Sequence, residues 1–234
     1  MHFFESRVIA VEPLSANVRL FRIKRPDEFF FSAGQFVMFD LPIKHQFTTR
    51  SYSIASAPQE NEYLDFWIVY KPDGVGTHYL FNQVKVGDTL RVSEAQGKFL
   101  LNHEAKHVCF ICTGTGIAPF ASMIKELGFT NQLETKRIDL LFGNRTENDI
   151  LMNQFWLDLS AKHAGFNYFP VLSRPDSNWL GLSGYVHAVY EKLAYAESPY
   201  IFYLCGWSTM VKEAKNNLRN LGFDRKRVKF ELYD

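Results

Sequence analysis

The chain has 234 residues, 47% of them apolar, and its 26 basic and 25 acidic side chains leave a net charge of +1. That length allows one large or two modest domains with cores of ordinary size. The balanced charge argues against a protein dedicated to nucleic acid, which would carry a strong basic excess.

Cysteine content and apolar patterning bear on the cellular compartment. The 3 cysteines are too few for a disulfide framework, and their odd number is typical of a reducing compartment. The chain starts without the basic and then apolar pattern of a signal peptide. No apolar stretch approaches about 20 residues, the length of a membrane-spanning helix. We therefore expect a soluble, cytoplasmic protein without a membrane span.

The first hundred residues predict a small antiparallel β-barrel. Short runs of β-branched or alternating residues recur there, separated by turn residues such as Asp73-Gly74 and Gly87-Asp88. The predicted strands are residues 6–11, 17–23, 35–41, 51–55, 63–70 and 89–92. Short strands at this spacing are typical of a barrel. Only residues 77–83 have the pattern of a helix in this half.

From residue 108 onward strands and helices alternate, which predicts an α/β doubly wound parallel sheet with ligands at the carboxyl ends of its strands. The predicted strands are residues 108–112, 137–142, 166–172, 200–205 and 228–233. The predicted helices are residues 117–127, 150–162, 185–195 and 209–220. A polar stretch at 97–107 separates the two patterns, so we predict domains at 1–102 and 103–234.

Arg50, Ser51, Tyr52 and Ser53 begin a predicted strand of the first domain. A guanidinium can bind a phosphate through two hydrogen bonds. Because side chains alternate along a strand, the ring of Tyr52 lies on the same side as Arg50 and could stack on a flat heterocycle. Ser53 could reach a ring nitrogen if the strand bends there. Taken alone, these four residues also fit an exposed strand end.

Two turns of small residues are suited to phosphate binding. Residues 112–120, Cys-Thr-Gly-Thr-Gly-Ile-Ala-Pro-Phe, follow a predicted strand and lead into a predicted helix. A helix N-terminus offers N–H donors and partial positive charge, and small residues let a phosphate approach the backbone. Pro119 suits the first helical turn because the N–H it lacks would be unpaired there. Residues 74–77, Gly-Val-Gly-Thr, form a second such turn before a helix.

Taken in chain order, these motifs resemble those of the ferredoxin–NADP(+) reductase family. Arg-x-Tyr-Ser at 50–53 is followed by the turn at 74–77, by Gly-Thr-Gly-Ile-Ala-Pro at 114–119 and by Cys-Gly at 205–206. The resemblance covers essentially the whole chain. It implies a flavoprotein oxidoreductase with an FAD-binding barrel followed by a domain that binds NADP(H) or NAD(H).

In the first domain the resemblance implies an FAD site. Arg50 would hold the flavin pyrophosphate, Tyr52 would stack on the isoalloxazine, and Ser53 would hydrogen-bond near flavin N5. The other FAD-binding positions implied are Ser51, Gly74, Val75, Gly76 and Thr77.

In the second domain the resemblance implies a site for the nicotinamide nucleotide. Its pyrophosphate would lie against Thr113, Gly114, Thr115, Gly116 and Pro119. Pro119 stands where the ordinary dinucleotide fingerprint has a third Gly, and the acid expected about 20 residues later is absent. Residues 143–145, Gly-Asn-Arg, occupy that place. The reductase family departs from the fingerprint in the same way.

Ser173 and Arg174 bear on the choice of nucleotide. A matching pair touches the 2′-phosphate in NADP-using relatives, and a guanidinium suits that charge. Relatives that prefer NADH can carry a similar pair, and Asp176 nearby could oppose a phosphate. We favour NADPH over NADH.

The resemblance also implies residues around the hydride-transfer site. Cys205 and Gly206 end a predicted strand, and Cys205 would border the nicotinamide; the alternative is a cysteine packed as a small hydrophobe. Plant-type relatives end in Glu-x-Tyr, whose aromatic covers the flavin and whose Glu belongs to the hydride-transfer site. Glu231 and Tyr233 match that ending, but Asp234 follows and would disfavour an anionic reduced flavin. The candidate catalytic residues are Ser53, Cys205, Glu231 and Tyr233.

Hydride would pass from the nicotinamide to the flavin, which requires C4 and N5 to approach within roughly 3–3.5 Å. With 3 cysteines the chain cannot supply the four thiolates of an iron–sulfur cluster, so electrons would leave to a separate ferredoxin, flavodoxin or other acceptor protein. We expect a monomer.

The basic residues of 224–229 could dock an acidic partner or form a solvated surface. Alternative functions are an NAD(P)H:flavin reductase, the reductase component of an oxygenase and a non-catalytic nucleotide sensor.

Two motifs that could indicate a metal are interpreted otherwise, and we expect no metal site. His103 and His107 fit His-Glu-x-x-His, but that zinc motif needs both histidines on one helical face and His107 adjoins a predicted strand. Cys109 and Cys112 are three apart on a strand and point to opposite faces, so they cannot easily chelate or bridge.

Overall fold

The computed structural model describes residues 2–43, 46–191 and 199–233. The chain divides into two compact units. The first comprises Met1–Leu101 together with Ala118–Phe129, and the second comprises Asn102–Ile117 together with Thr130–Asp234.

The first unit is built on an antiparallel sheet of six strands in the order β4-β3-β6-β1-β2-β5. The strands are β1 Phe3–Pro13, β2 Val18–Lys24, β3 Phe36–Ile43, β4 Gln46–Ser53, β5 Tyr63–Val69 and β6 Thr89–Ser93. The edge strands β4 and β5 approach each other where the chain leaves β4. There Ala55 N donates to Asp65 O of β5 at 2.8 Å. The sheet therefore curls toward closure, and the predicted small antiparallel barrel is confirmed.

Two helices belong to this unit, α1 Val75–Asn82 and α2 Ala118–Phe129. The Phe120 ring of α2 lies 5.9 Å from that of Phe99, and Lys125 Nζ is 3.6 Å from Glu60 Oε2. The barrel core beneath β3, β5 and β6 is apolar and fully buried at Val37, Phe39, Leu64, Phe66 and Val92.

The second unit contains a parallel sheet in the order β10-β9-β8-β7-β11-β12. Its strands are β7 His107–Thr113, β8 Arg137–Asn144, β9 Phe166–Leu172, β10 Leu182–Ser183, β11 Tyr200–Trp207 and β12 Val228–Tyr233. The strand order reverses between β7 and β11, so their carboxyl ends flank the topological switch point where such sheets bind ligands. The predicted doubly wound fold is confirmed.

The helices of this unit are α3 Asn153–Lys162, α4 His187–Tyr190 and α5 Ser208–Asn220. Helix α3 starts later than predicted because Ile150 is extended and Met152, the N-cap, has a left-handed backbone with φ +57°. The helix predicted at 185–195 corresponds in part to α4, and residues 192–198 lie outside the described residues. Over the described ranges we find no helix with the length and apolar character required to cross a membrane.

Candidate functional site

Arg50 lies beside the first turn of α1. A Cβ added at Gly76 would be 3.0 Å from Arg50 Cγ and 3.5 Å from Arg50 Nε. The guanidinium donates to the Thr49 carbonyl oxygen at 2.8 Å and forms no ion pair with a carboxylate in the described part of the chain. It is exposed and keeps further N–H groups for a ligand.

The start of α1 supplies backbone donors. Gly74 is its N-cap and provides no side chain, so the N–H groups of the first turn have no side-chain acceptor there. The Thr77 hydroxyl is already used within the turn, where it donates to the Gly74 carbonyl oxygen at 3.0 Å and accepts from Lys71 N at 3.1 Å. An anion at this turn would therefore meet the Arg50 guanidinium and backbone N–H groups, a donor set that fits a pyrophosphate.

Tyr52 and Ser53 close β4 next to Arg50. The Tyr52 ring packs edge-on against Phe39, with ring centroids 4.9 Å apart. Burial raises the pKa of Tyr52 to about 12, although the positive charge of Arg50 lowers it in part. The phenol thus stays protonated at neutral pH. Ser53 is buried and pairs with Phe36 in the ladder, whereas Ser51 is exposed. The structure places these predicted residues, Arg50 and Gly74–Thr77 within one unit.

In the second unit, the glycine turn after β7 is locked to the end of β11 by backbone contact. A Cβ at Gly116 would lie 2.5 Å from Cys205 O, and one at Gly206, whose φ is +129°, would overlap Thr113 Oγ1 and lie 2.8 Å from Thr113 O. Neither glycine can carry a side chain without moving main chain. Trp207 N also donates to Thr113 Oγ1 at 3.1 Å. The Cys-Gly motif and the glycine turn therefore lie together at the carboxyl ends of β7 and β11, although they are distant in sequence.

The same turn is open at Gly114. This glycine has φ +53°, and no atom lies within 4 Å of the position a Cβ would take. Gly114–Ile117 forms a 3-10 turn, and α2 begins at the next residue with Pro119 in its first turn. Thr113 and Thr115 are half-buried beside Gly114. The turn is thus closed toward β11 and accessible on its other side, which fits the approach of a nucleotide phosphate.

Cys205 and Glu231 are aligned at the carboxyl ends of β11 and β12. Cys205 pairs with Cys112 of β7 on one side and with Glu231 of β12 on the other. Burial raises the pKa of the Cys205 thiol well above its ordinary value, the Glu231 charge adds to the shift, and a side-chain hydrogen bond with Tyr233 opposes it. Cys205 is therefore a neutral thiol, suited to line a site rather than to act as a nucleophile.

Glu231 carries an unsatisfied buried oxygen. Its Oε2 atom is buried and has no hydrogen-bond partner. Burial raises the pKa of Glu231 to about 7. A buried carboxyl with a raised pKa and a partnerless oxygen is a candidate for a functional site.

Ser173 and Arg174 follow β9 and are held against the residues after β8. Ser173 N donates to Asn144 O at 3.0 Å, and Arg174 N donates to Arg145 O at 2.8 Å. Arg145 and Arg174 are both exposed, and neither guanidinium forms a hydrogen bond or ion pair within residues 2–43, 46–191 and 199–233. Two exposed guanidinium groups whose N–H donors have no hydrogen-bond acceptor among the described residues fit a phosphate monoester.

The sequence predictions did not assign a role to Arg145 or to Trp207. Arg145 stands where the ordinary fingerprint has an acid, so its charge was a signal for a phosphate. Trp207 directly follows the Cys-Gly motif and is 62% exposed, and only the strand order brings it to Arg145.

The histidine and cysteine motifs do not form a metal centre. His103 lies in a turn and His107 begins β7, so the two do not share a helical face. All 3 cysteines are buried and none forms a disulfide. Within the described ranges, no group of three or more His, Cys, Asp and Glu side chains could hold a metal ion.

Comparison with known proteins gives matches over both units. The model of an oxidoreductase FAD-binding domain matches residues 5–100, and that of an oxidoreductase NAD-binding domain matches residues 110–216. The chain is 35% identical over 242 residues to ferredoxin–NADP reductase B from Sorangium cellulosum (strain So ce56), covering 99% of this chain and 98% of that protein.

Two further relatives extend the comparison. The chain is 30% identical over 185 residues to the anthranilate 1,2-dioxygenase electron transfer component from Acinetobacter baylyi (strain ATCC 33305 / BD413 / ADP1), covering 79% of this chain but only 53% of that protein. It is also similar to the crystal structure of a ferredoxin NADP+ reductase from Neisseria gonorrhoeae with bound FAD and NADP. That similarity has a TM-score of 0.84 and 26% identity, and covers 99% of each chain.

Replacing Gly116 with alanine tests the locked edge. Because the added Cβ would meet the Cys205 backbone, we expect the free energy of unfolding to fall by about 1–3 kcal/mol. The control is Gly128→Ala at an exposed position of α2, where alanine should be neutral or stabilising by up to about 1 kcal/mol. Urea unfolding of both variants measures the difference, and equal stability of the two would contradict the contact.

Glu231 should make stability depend on pH. Between its ordinary pKa of 4.5 and its raised pKa of about 7, the unfolded chain loses the proton while the folded protein keeps it. The free energy of unfolding should therefore fall as pH rises through this range and stay lower above it. We expect Glu231→Gln to remove this slope and Glu62→Gln, at an exposed carboxylate, to retain it. Urea unfolding across the range checks the prediction, and a wild-type slope in Glu231→Gln would refute it.

Proposed function

Because the chain belongs to the ferredoxin–NADP reductase family of FAD- and NAD-binding oxidoreductases, we propose that it transfers electrons from NADPH through bound FAD to a separate carrier protein. Family membership confirms the resemblance, the enzyme class and the cofactors predicted from the sequence. The family includes reductase components of oxygenases as well as ferredoxin reductases.

The observation that supports the proposal is that each unit has a small-residue turn at the start of a helix whose donors and open space suit a phosphate. In the first unit, the Arg50 guanidinium beside the start of α1 would hold the FAD pyrophosphate. In the second unit, the open side of the turn at Gly114 would hold the pyrophosphate of the nicotinamide nucleotide. Bound FAD supplies the capacity to accept a hydride and to release electrons singly or as a pair.

Cys205 and Glu231 at the ends of β11 and β12, whose protonated forms burial favours, would bind the nicotinamide. Fully buried Cys205 offers an uncharged group at the end of β11, and Gly206 lets that strand end lie directly against Thr113. The partnerless Oε2 of Glu231 would bind the carboxamide and, when protonated, would add no negative charge near the ring. Tyr233 hydrogen-bonds Cys205 and would help to hold it, and Ser53 would contact the flavin from β4. The contribution of these residues is alignment and electrostatics.

A carrier protein is the favoured acceptor because the relative at 35% identity, matched over 98% of its length, is a ferredoxin–NADP reductase. We infer a ferredoxin or flavodoxin, with the chain acting as a monomer. The similarity to a dioxygenase electron transfer component favours a second candidate, the reductase of an oxygenase. The described ranges hold only the 3 buried cysteines, too few for the four thiolates of a cluster.

Anaerobic titration of the purified protein, as isolated, tests the proposal. We expect a yellow protein whose bound flavin is bleached by NADPH at lower concentration than by NADH. The reduced protein should then reduce an added [2Fe–2S] ferredoxin or a flavodoxin faster than free FMN. A colourless protein that reduces added FMN would replace the proposal with a flavin reductase. Bound flavin that neither nucleotide bleaches would make the chain a nucleotide sensor.

The arginine pair should determine the preference for NADPH. Removing either guanidinium, as Arg145→Gln or Arg174→Gln, eliminates charge-assisted hydrogen bonds to the 2′-phosphate. We expect the KM for NADPH to rise about tenfold in each variant, with a smaller change for NADH. Steady-state kinetics with ferricyanide as acceptor measures both values. Arg219→Gln, which removes an exposed charge at the end of α5, is the control, and an equal rise for NADPH and NADH would contradict the assignment.

A further inference from the structure

Trp207 is a large exposed side chain at the switch point of the parallel sheet. It ends β11 directly after Gly206, and 62% of its surface is exposed. Its backbone is nevertheless fixed, because Trp207 N donates to Thr113 Oγ1 at 3.1 Å and its ladder partner is Tyr233. The indole therefore projects from a rigid main chain.

The indole contacts Arg145 from a neighbouring part of the sheet. The Arg145 Cζ atom lies 5.7 Å from the centroid of the Trp207 ring, within the range of a cation–π interaction. Arg145 follows β8 and Trp207 ends β11, and β7 lies between these two strands. The pair consequently spans the end of β7, where the glycine turn begins.

No other interaction restrains the Arg145 guanidinium over the ranges that the structure describes. Its main chain is held, since Arg145 O accepts from Arg174 N at 2.8 Å. An exposed arginine side chain samples many rotamers, and that freedom is lost when it binds a phosphate. A ring that already limits the rotamers lowers this entropic cost without occupying the N–H donors at the guanidinium edge.

We propose that Trp207 is a positioning residue that determines nucleotide specificity by holding the Arg145 guanidinium for a ribose 2′-phosphate. This inference rests on the proposed function and identifies how NADPH would be distinguished from NADH. Trp207 acts through Arg145, so its removal should affect a ligand with a 2′-phosphate more than a ligand without one.

The test compares the binding of NADP+ and NAD+ to the flavin-loaded protein by calorimetry. In Trp207→Leu, we expect the ratio of the two affinities to fall about two- to fivefold, the range of an exposed cation–π interaction. Trp207→Phe keeps an aromatic face and should restore most of the ratio. Phe30→Ala, which removes another exposed aromatic ring in the first unit, should leave it unaltered.

A double-mutant cycle decides whether the effect passes through Arg145. In an Arg145→Gln background, Trp207→Leu should cause no further loss of the ratio. An equal loss in both backgrounds, or an equal weakening of NADP+ and NAD+, would refute the inference and make Trp207 a general wall of the site.

Binding of adenosine 2′,5′-bisphosphate separates failure of the inference from failure of the proposed function. This fragment has no nicotinamide, so its affinity does not depend on hydride transfer. We expect Trp207→Leu to weaken its binding two- to fivefold even if the flavin proves not to be reduced by NADPH. If the wild-type protein does not bind the fragment, the inference is wrong regardless of the redox activity.

Discussion

The glycine turn after β7 and the end of β11 depend on one constraint, which is the close approach of their main chains. The backbone of the glycine turn after β7 lies directly against the end of β11, so that a single added methyl group at Gly116 would come within 2.5 Å of a carbonyl oxygen. That contact fixes the direction in which β11 ends and therefore where Cys205 and Trp207 lie. It also leaves Gly114 as the accessible part of the turn. Side chains are absent where the main-chain segments meet, and space remains beside Gly114.

Charged and neutral groups are separated along the carboxyl ends of the parallel strands. The exposed guanidinium groups of Arg145 and Arg174 follow β8 and β9, where water screens their charges. The ends of β11 and β12 carry groups whose protonated form burial favours, a thiol with a pKa well above its ordinary value and a carboxyl with a pKa of about 7. A dinucleotide has the complementary arrangement, with phosphates at one part and an uncharged carboxamide on a flat ring at another. The strand order alone places these two environments side by side.

Local patterns predicted most of the fold, and long-range pairing accounts for the remainder. Alternating residues and glycine turns identified the main strands of both sheets, because these signals act within a few residues. The strand Leu182–Ser183 has only two residues and exists because it pairs with β9. Arg145 and Trp207 are close because only β7 lies between β8 and β11. That strand order cannot be predicted from the residues of β8 or of β11 alone. The hydrogen bonds of the Thr77 hydroxyl within its own turn likewise required coordinates.

Helix α2 has a consequence for how the chain can be divided by recombination or proteolysis. The helix follows the glycine turn of the second unit in sequence, yet it belongs to the first unit, where Phe120 packs on Phe99 and Met123 approaches Gly34. A gene cut near codon 102 would give a barrel that lacks the helix covering Phe99 and the lysine paired with Glu60. Exchange of whole cofactor modules between relatives would therefore have to carry residues 118–129 with the barrel they pack on, although the two are separated in the gene.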